Sequence, residues 1–206
     1  NTTGSDNVGI GHRALQANTT ASENTAVGYQ AGYSTTTGGV NVAVGQNALY
    51  ANTTGVANTA LGRQALKSNT TANFNVAVGA ESLSTNTTGA NNVAIGYSAL
   101  VSNTTASNNN AVGYQALYSN TTGAVQTAMG HAALYSNTTG TENTAFGGAA
   151  LLDNTTGNYN VAAGRNALAN NTTASNNTAV GYQAGFSTTT GARNTVVGGL
   201  ALDANT

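Results

Sequence analysis

Asn109–Val125, reading NNAVGYQALYSNTTGAV, is one copy of a seventeen-residue unit that fills the chain. The glycine of its "AVG" recurs at Gly11, Gly28, Gly45, Gly62, Gly79, Gly96, Gly113, Gly130, Gly147, Gly164, Gly181 and Gly198, twelve positions with a constant step of seventeen. A fixed step without insertion or deletion marks a repeat array in which each unit stacks on its neighbours. Counting Asn109 as position 1 puts Gly113 at position 5 and Val125 at position 17.

The positions differ sharply in what they accept. Position 1 is Asn in every copy but one, where Gln126 stands. Position 2 is Thr or Val apart from Asn110, position 3 is Ala apart from Gly9 and Val196, and position 4 is apolar throughout. Positions 8 and 9 read Ala-Leu, with Ser82 at one position 8 and Gly32 and Gly185 at two position 9s. Asn-Thr-Thr fills positions 12–14, replaced by Thr35–Thr37 and Thr188–Thr190 in two copies, and Gly or Ala follows at position 15. Where Gly32 and Gly185 replace Leu, Tyr33 and Phe186 follow, and local cover of the gap by the ring is expected.

β-branched runs bounded by Gly and Asn read as short strands. No apolar period of 3.6 survives across the unit, and a glycine in every copy opposes helix. The chain is therefore expected to be all-β: a β-solenoid with one seventeen-residue turn per repeat, about twelve turns, each made of two or three short strands. At the usual strand spacing of ~4.8 Å, twelve turns make a rod on the order of 55–60 Å long. Stacking places equivalent side chains above one another, so the Asn positions should form amide ladders and the apolar ones a narrow dry core.

Alternation along a strand sends positions 2 and 4 one way and position 3 the other. Size and branching assign 2 and 4 to the core. The restriction of position 3 to Ala then has two explanations: a thin inner layer with room for one methyl, or a second face packed against sister chains.

Charged residues make up 5% of the chain and the formal net charge is −1, which leaves no basic footprint for nucleic acid or anionic lipid. All eleven fall at positions 6, 7, 10, 11 or 17, which are thereby expected to be solvated. There is no cysteine and no apolar run of the ~18 residues that cross a bilayer. A disordered low-complexity tract shares this composition but not its strict positional discipline. Residues 1–206 are expected to be one continuous array with partial repeats at both ends, a segment of a longer chain.

The motif N-[TV]-A-[VI]-G, as in Asn24–Gly28, Asn41–Gly45 and Asn92–Gly96, resembles the head repeat of YadA-type trimeric autotransporter adhesins. The whole unit is similar to repeats of phage tail-fibre and bacterial surface proteins. The resemblance implies a left-handed β-roll, three chains side by side, and an adhesive or shaft role at the cell or virion surface. The unit is longer than those head repeats, and its Asn-Thr-Thr corner is not part of their motif.

Nothing in the chain reads as a catalytic, metal or cofactor site. His12 and His131 both occupy position 6, seven turns apart, which separates them by ~34 Å along a solenoid. The carboxylates are scattered one per several turns, so neither an acid–base pair nor a calcium ladder is expected. Surface binding, to a glycan or a host surface, points to the tyrosines of position 6 (Tyr29, Tyr97, Tyr114, Tyr182) and position 10 (Tyr50, Tyr118, Tyr135). Asn-Thr-Thr is also a glycosylation sequon, at Asn18, Asn52, Asn69, Asn86, Asn103, Asn120, Asn137, Asn154 and Asn171. Adjacent Thr columns at positions 13 and 14 suggest an ice-binding solenoid as an alternative, and a phage tail-fibre shaft is another. The principal expectation is a non-enzymatic, self-associating segment of an extracellular fibre.

Overall fold

The computed structural model describes residues 1–202, which form one β-solenoid. Asp203, one of the charged residues noted above, lies outside the described residues. Each coil contributes one three-residue strand from positions 2–4: β1 Val8–Ile10, β2 Thr25–Val27, β3 Val42–Val44, β4 Thr59–Leu61, β5 Val76–Val78, β6 Val93–Ile95, β7 Asn110–Val112, β8 Thr127–Met129, β9 Thr144–Phe146, β10 Val161–Ala163, β11 Thr178–Val180 and β12 Thr195–Val197. They make a single twelve-stranded parallel sheet in sequence order. Each strand pairs with the next at an offset of seventeen residues, as in Val93↔Asn110 and Ala94↔Ala111. The expected second and third strands do not form. The rest of each coil is a succession of turns whose N–H groups reach along the axis.

That reach depends on left-handed backbone. Positions 7, 9 and 17 adopt φ of +49° to +63° in coil after coil, whether the residue is Gln115, Leu117 or Val125. One such residue rotates the chain enough for its N–H to bond an adjacent coil: Gln115 N–H donates back to Tyr97 O at 3.0 Å, and Leu117 N–H forward to Ala133 O at 3.0 Å. A left-handed L-residue costs roughly 1–2 kcal/mol. At position 9 the burial of a Leu side chain, worth roughly 1.5–3 kcal/mol, offsets that cost. Gly32 and Gly185, at φ +58° and +63°, escape the cost and give up the burial.

The strand faces are the reverse of the sequence expectation. Ala at position 3 points inward and is buried from Ala26 through Ala179, whereas positions 2 and 4 point out and are half-buried or exposed. The core consists of three columns: Ala at 3, Ala at 8 and Leu at 9, with Leu49, Leu66, Leu83, Leu100, Leu117, Leu134, Leu151 and Leu168 in an unbroken run. The space is narrow at Gly9, where a Cβ would already touch Ala14 O at 3.6 Å and Leu15 Cδ1 at 3.9 Å, and a larger side chain enters the column at Val196, in the last strand. Of the two explanations for the Ala column, the thin inner layer is the one the structure adopts. Gaps at Gly32 and Gly185 are met from inside the core, by Leu15 Cδ2 with Thr35 Oγ1 and by Leu168 Cδ2 with Thr188 Oγ1. The Tyr33 ring instead stacks on Tyr50.

Two asparagine ladders seal the core. At position 12 the Nδ2 of each Asn donates to the Oδ1 of the one before, without a break from Asn171 back to Asn52, at 2.8–3.1 Å. Thr35 and Thr188 stand beyond its two ends. At position 1 the backbone N–H donates to the preceding side-chain oxygen, as Asn92 does to Asn75 Oδ1 at 2.9 Å. Both ladders then converge on the position 15 carbonyl of their own coil: Gly55 O accepts from Asn41 Nδ2 at 2.9 Å and from Asn52 Nδ2 at 3.0 Å. These paired donors tie the end of the coil to its beginning. Buried amides this fully paired strengthen the fold; left unpaired they would weaken it.

Gln126 is the fault in the first ladder. It carries one methylene more than the position holds, and it keeps its place by donating Nε2 to Gly140 O. The preceding Asn109 is left with a buried Nδ2 that has no partner. Gln126→Asn should therefore restore the donor's bonds and relieve the crowding, stabilising the chain by about 1–2 kcal/mol. Chemical denaturation of both proteins checks this, and an unchanged or lower midpoint would refute it.

Candidate functional site

Outside the core, the side chains form columns along the rod. Position 6 carries the exposed tyrosines Tyr29, Tyr97, Tyr114 and Tyr182, and Tyr159 at position 17 is exposed as well. Their rings stack on the ring one coil away where there is one. Tyr97 lies on Tyr114 at a centroid distance of 5.6 Å, Tyr114 lies on His131 at 5.2 Å, and His12 lies on Tyr29 at 5.6 Å. At position 10, Tyr118 stacks on Tyr135 and Tyr33 on Tyr50, at 5.0 and 5.1 Å. Stacking covers both faces of Tyr114 and one face of each other stacked ring, while Tyr182 is in no stack. Each histidine is one plate of such a stack, and the two share no site.

The sequon asparagines are closed to modification in the folded coil. Asn18, Asn52, Asn69, Asn86, Asn103, Asn120, Asn137, Asn154 and Asn171 are all buried. The nitrogen that would carry a sugar is already donating, as Asn120 Nδ2 does to Asn103 Oδ1 at 3.1 Å and to Gly123 O at 2.9 Å. A glycan has no volume to occupy there. This corrects the expectation drawn from the triplet, which holds only for an Asn that faces solvent.

The adjacent Thr columns separate by function. At position 13 the hydroxyl donates to the next coil, Thr121 Oγ1 to Thr138 O at 3.0 Å, on a carbonyl that also accepts the Thr121 N–H. At position 14 the side chain is exposed, as at Thr54, Thr88 and Thr122. A flat array of paired free hydroxyls is thus absent from this corner; one column is free and the other is bonded to backbone.

The surface that sequence reasoning placed inside is the sheet itself. Position 4 shows Ile95, Met129 and Phe146 at 39%, 41% and 43% exposure, flanked by the Thr and Val of position 2. No charged residue occurs at positions 1–5 in any coil. The signal was present in the sequence as the charge-free strand, but side-chain size concealed which way it faced.

Reactive chemistry is sparse. Among the described residues no three His, Cys, Asp or Glu side chains gather as a metal site, and there is no pocket. The ion pair found among them joins Arg63 to Glu81 in the adjacent coil at 2.5 Å, on the surface. No helix is long and apolar enough to cross a membrane. No family model, curated protein or solved structure matches the chain.

Proposed function

We propose that this chain is a non-enzymatic structural segment of an extracellular or surface fibre, a self-associating shaft that displays its variable columns at fixed pitch. The observation that carries this reading is the unbroken register. All eleven strand pairs step by seventeen residues, and an Asn ladder runs beside them for eight coils. Axial hydrogen bonds at every level resist bending, and coils can be added without altering those already in place. The charged and aromatic residues then become a surface pattern with a constant rise of ~4.8 Å, suited to contact with a glycan or host surface at many points.

The test pairs shape with a rival activity. Small-angle scattering from the dilute chain should give a straight rod about 55 Å long, and the same sample should leave ice recrystallisation unaffected. A flexible or compact particle would sink the shaft reading. Inhibition of ice growth would replace it with the ice-binding one.

A further inference from the structure

We infer that the outer face of the twelve-stranded sheet is a self-association surface, and that its occupant is a second copy of this chain. The inference rests on the self-associating shaft reading and names the face that reading requires. On an antiparallel or solvated sheet the outward positions normally carry polar side chains. Here position 4 is apolar in all twelve coils, from Ile10 to Val197. The other variable positions, 6, 7, 10, 16 and 17, are half-buried to exposed in most coils and range over charged, polar and apolar residues. Position 14 is also exposed and unvarying, but it is Thr throughout and so suits water. A column held apolar over its whole length does not suit water, and a packed interface accounts for it.

The size of the face suits a stable interface. Twelve strands at ~4.8 Å spacing, with two outward columns and their flanks spanning about 12 Å, give roughly 600–700 Å² on each copy. Two such faces together bury more than the ~1,000 Å² that separates specific interfaces from incidental contact. The apolar column of position 4 runs the length of this face beside the Thr and Val of position 2, and a continuous exposed apolar strip on a lone chain marks an interaction site.

Chemistry and period select the occupant. The face carries no charge, so an identical face meets it without repulsion and needs no complementary ions. Its side chains form rows at the strand repeat, with Ile95, Val112, Met129 and Phe146 successive along one column. Rows of one surface interlock with another along the full length only when both share the same rise, and a second copy has that rise by construction. Sheets packed in this way lie about 10 Å apart.

Light scattering across a hundredfold dilution, on three proteins, tests the proposal. The wild-type chain should have a mass above that of one copy. The triple variant Val44→Lys, Ile95→Lys, Met129→Lys should be monomeric at every concentration while keeping the far-ultraviolet circular dichroism of the wild type, since all three side chains are exposed. Thr54→Lys, Thr88→Lys, Thr122→Lys, on the exposed Thr column, should associate as the wild type does. A labelled cysteine guards against misfolding of the lysine variant. A polarity-sensitive dye on Thr127→Cys should shift to the blue as concentration rises, and the same dye on Thr122→Cys should not. A wild-type chain that stays monomeric throughout overturns self-association and with it the assignment of this face. An oligomer that survives the three lysines, or a Thr127→Cys dye that reports no burial, overturns the face and leaves self-association standing.

Discussion

Replacing Asn103 with Leu should destabilise the chain by about 3–5 kcal/mol, although the two side chains are close in size and the position is completely buried. The loss is one of pairing. Asn103 Nδ2 donates to Asn86 Oδ1 at 2.8 Å and to Ala106 O at 3.0 Å, and its Oδ1 accepts from Asn120 Nδ2. With Leu in place, Asn86 Oδ1 is buried with no ladder donor, and Asn120 Nδ2 keeps only Gly123 O. Ala106 O still has Asn92 Nδ2 at 2.9 Å, so the damage concentrates on the ladder rather than on coil closure. Because coils couple chiefly to their neighbours, the break should also divide the array into two units that melt separately. Thermal unfolding followed by circular dichroism, with hydrogen exchange to locate the opening, would show a lowered and split transition. Thr105→Leu, on the exposed face of the same turn, should change stability by no more than about 0.5 kcal/mol. Equal effects from the two substitutions would mean that the amide ladder contributes nothing beyond filling space.

The second large effect is expected from one added methyl. Gly79→Ala should cost about 3–5 kcal/mol, because two penalties fall on the same residue. Its φ is +128°, in a region L-residues rarely enter, and a Cβ would lie 2.5 Å from Gly96 O and 2.7 Å from Gly96 C. Neither backbone can yield. Gly79 N–H is held by Leu61 O and Gly96 N–H by Val78 O, both at 2.8 Å. Gly148 is the matched control, since the nearest atom to an added Cβ there is His131 O at 3.9 Å. Gly148→Ala should be close to neutral, and denaturant titrations of both variants should differ widely. A small loss for Gly79→Ala would show that the coil spacing relaxes more readily than the axial hydrogen bonds imply.

These two residues also mark how far the sequence could be read. Asn103 and Gly79 stand in columns nearly invariant within the chain, and in each column the repeats themselves display the constraint that packing imposes. The same internal comparison located the solvated positions, since charge never enters a column that is closed to water. Orientation was the part it could not supply. A two-residue period divides a strand into two faces without saying which one is inside, and Val at position 2 outranks Ala at position 3 on any scale of hydrophobicity. Burial went to Ala because the Leu of position 9 already fills the thin interior. The left-handed positions 7 and 17 were hidden for a different reason. Their side chains point away from the core and vary from Glu142 to Phe74 to Val125, so the backbone conformation leaves no trace in residue type. The buried sequons were misread because a triplet carries no information about exposure.

The constant step between bonded residues has a kinetic consequence. Backbone hydrogen bonds between coils join residues about fifteen to eighteen apart wherever they occur along the rod. Relative to the chain length this is a separation of roughly 0.08, in the range of helical bundles rather than of β-sandwiches. The first pair of coils must form against the full cost of its left-handed residues, but each later coil closes the same short loop onto a finished template. Folding should therefore proceed as nucleation followed by rapid growth at the ends, with a rate that depends little on how many coils the chain contains. A protein whose strands all pair in parallel thus avoids the long-range search that makes most β folds slow and prone to aggregation.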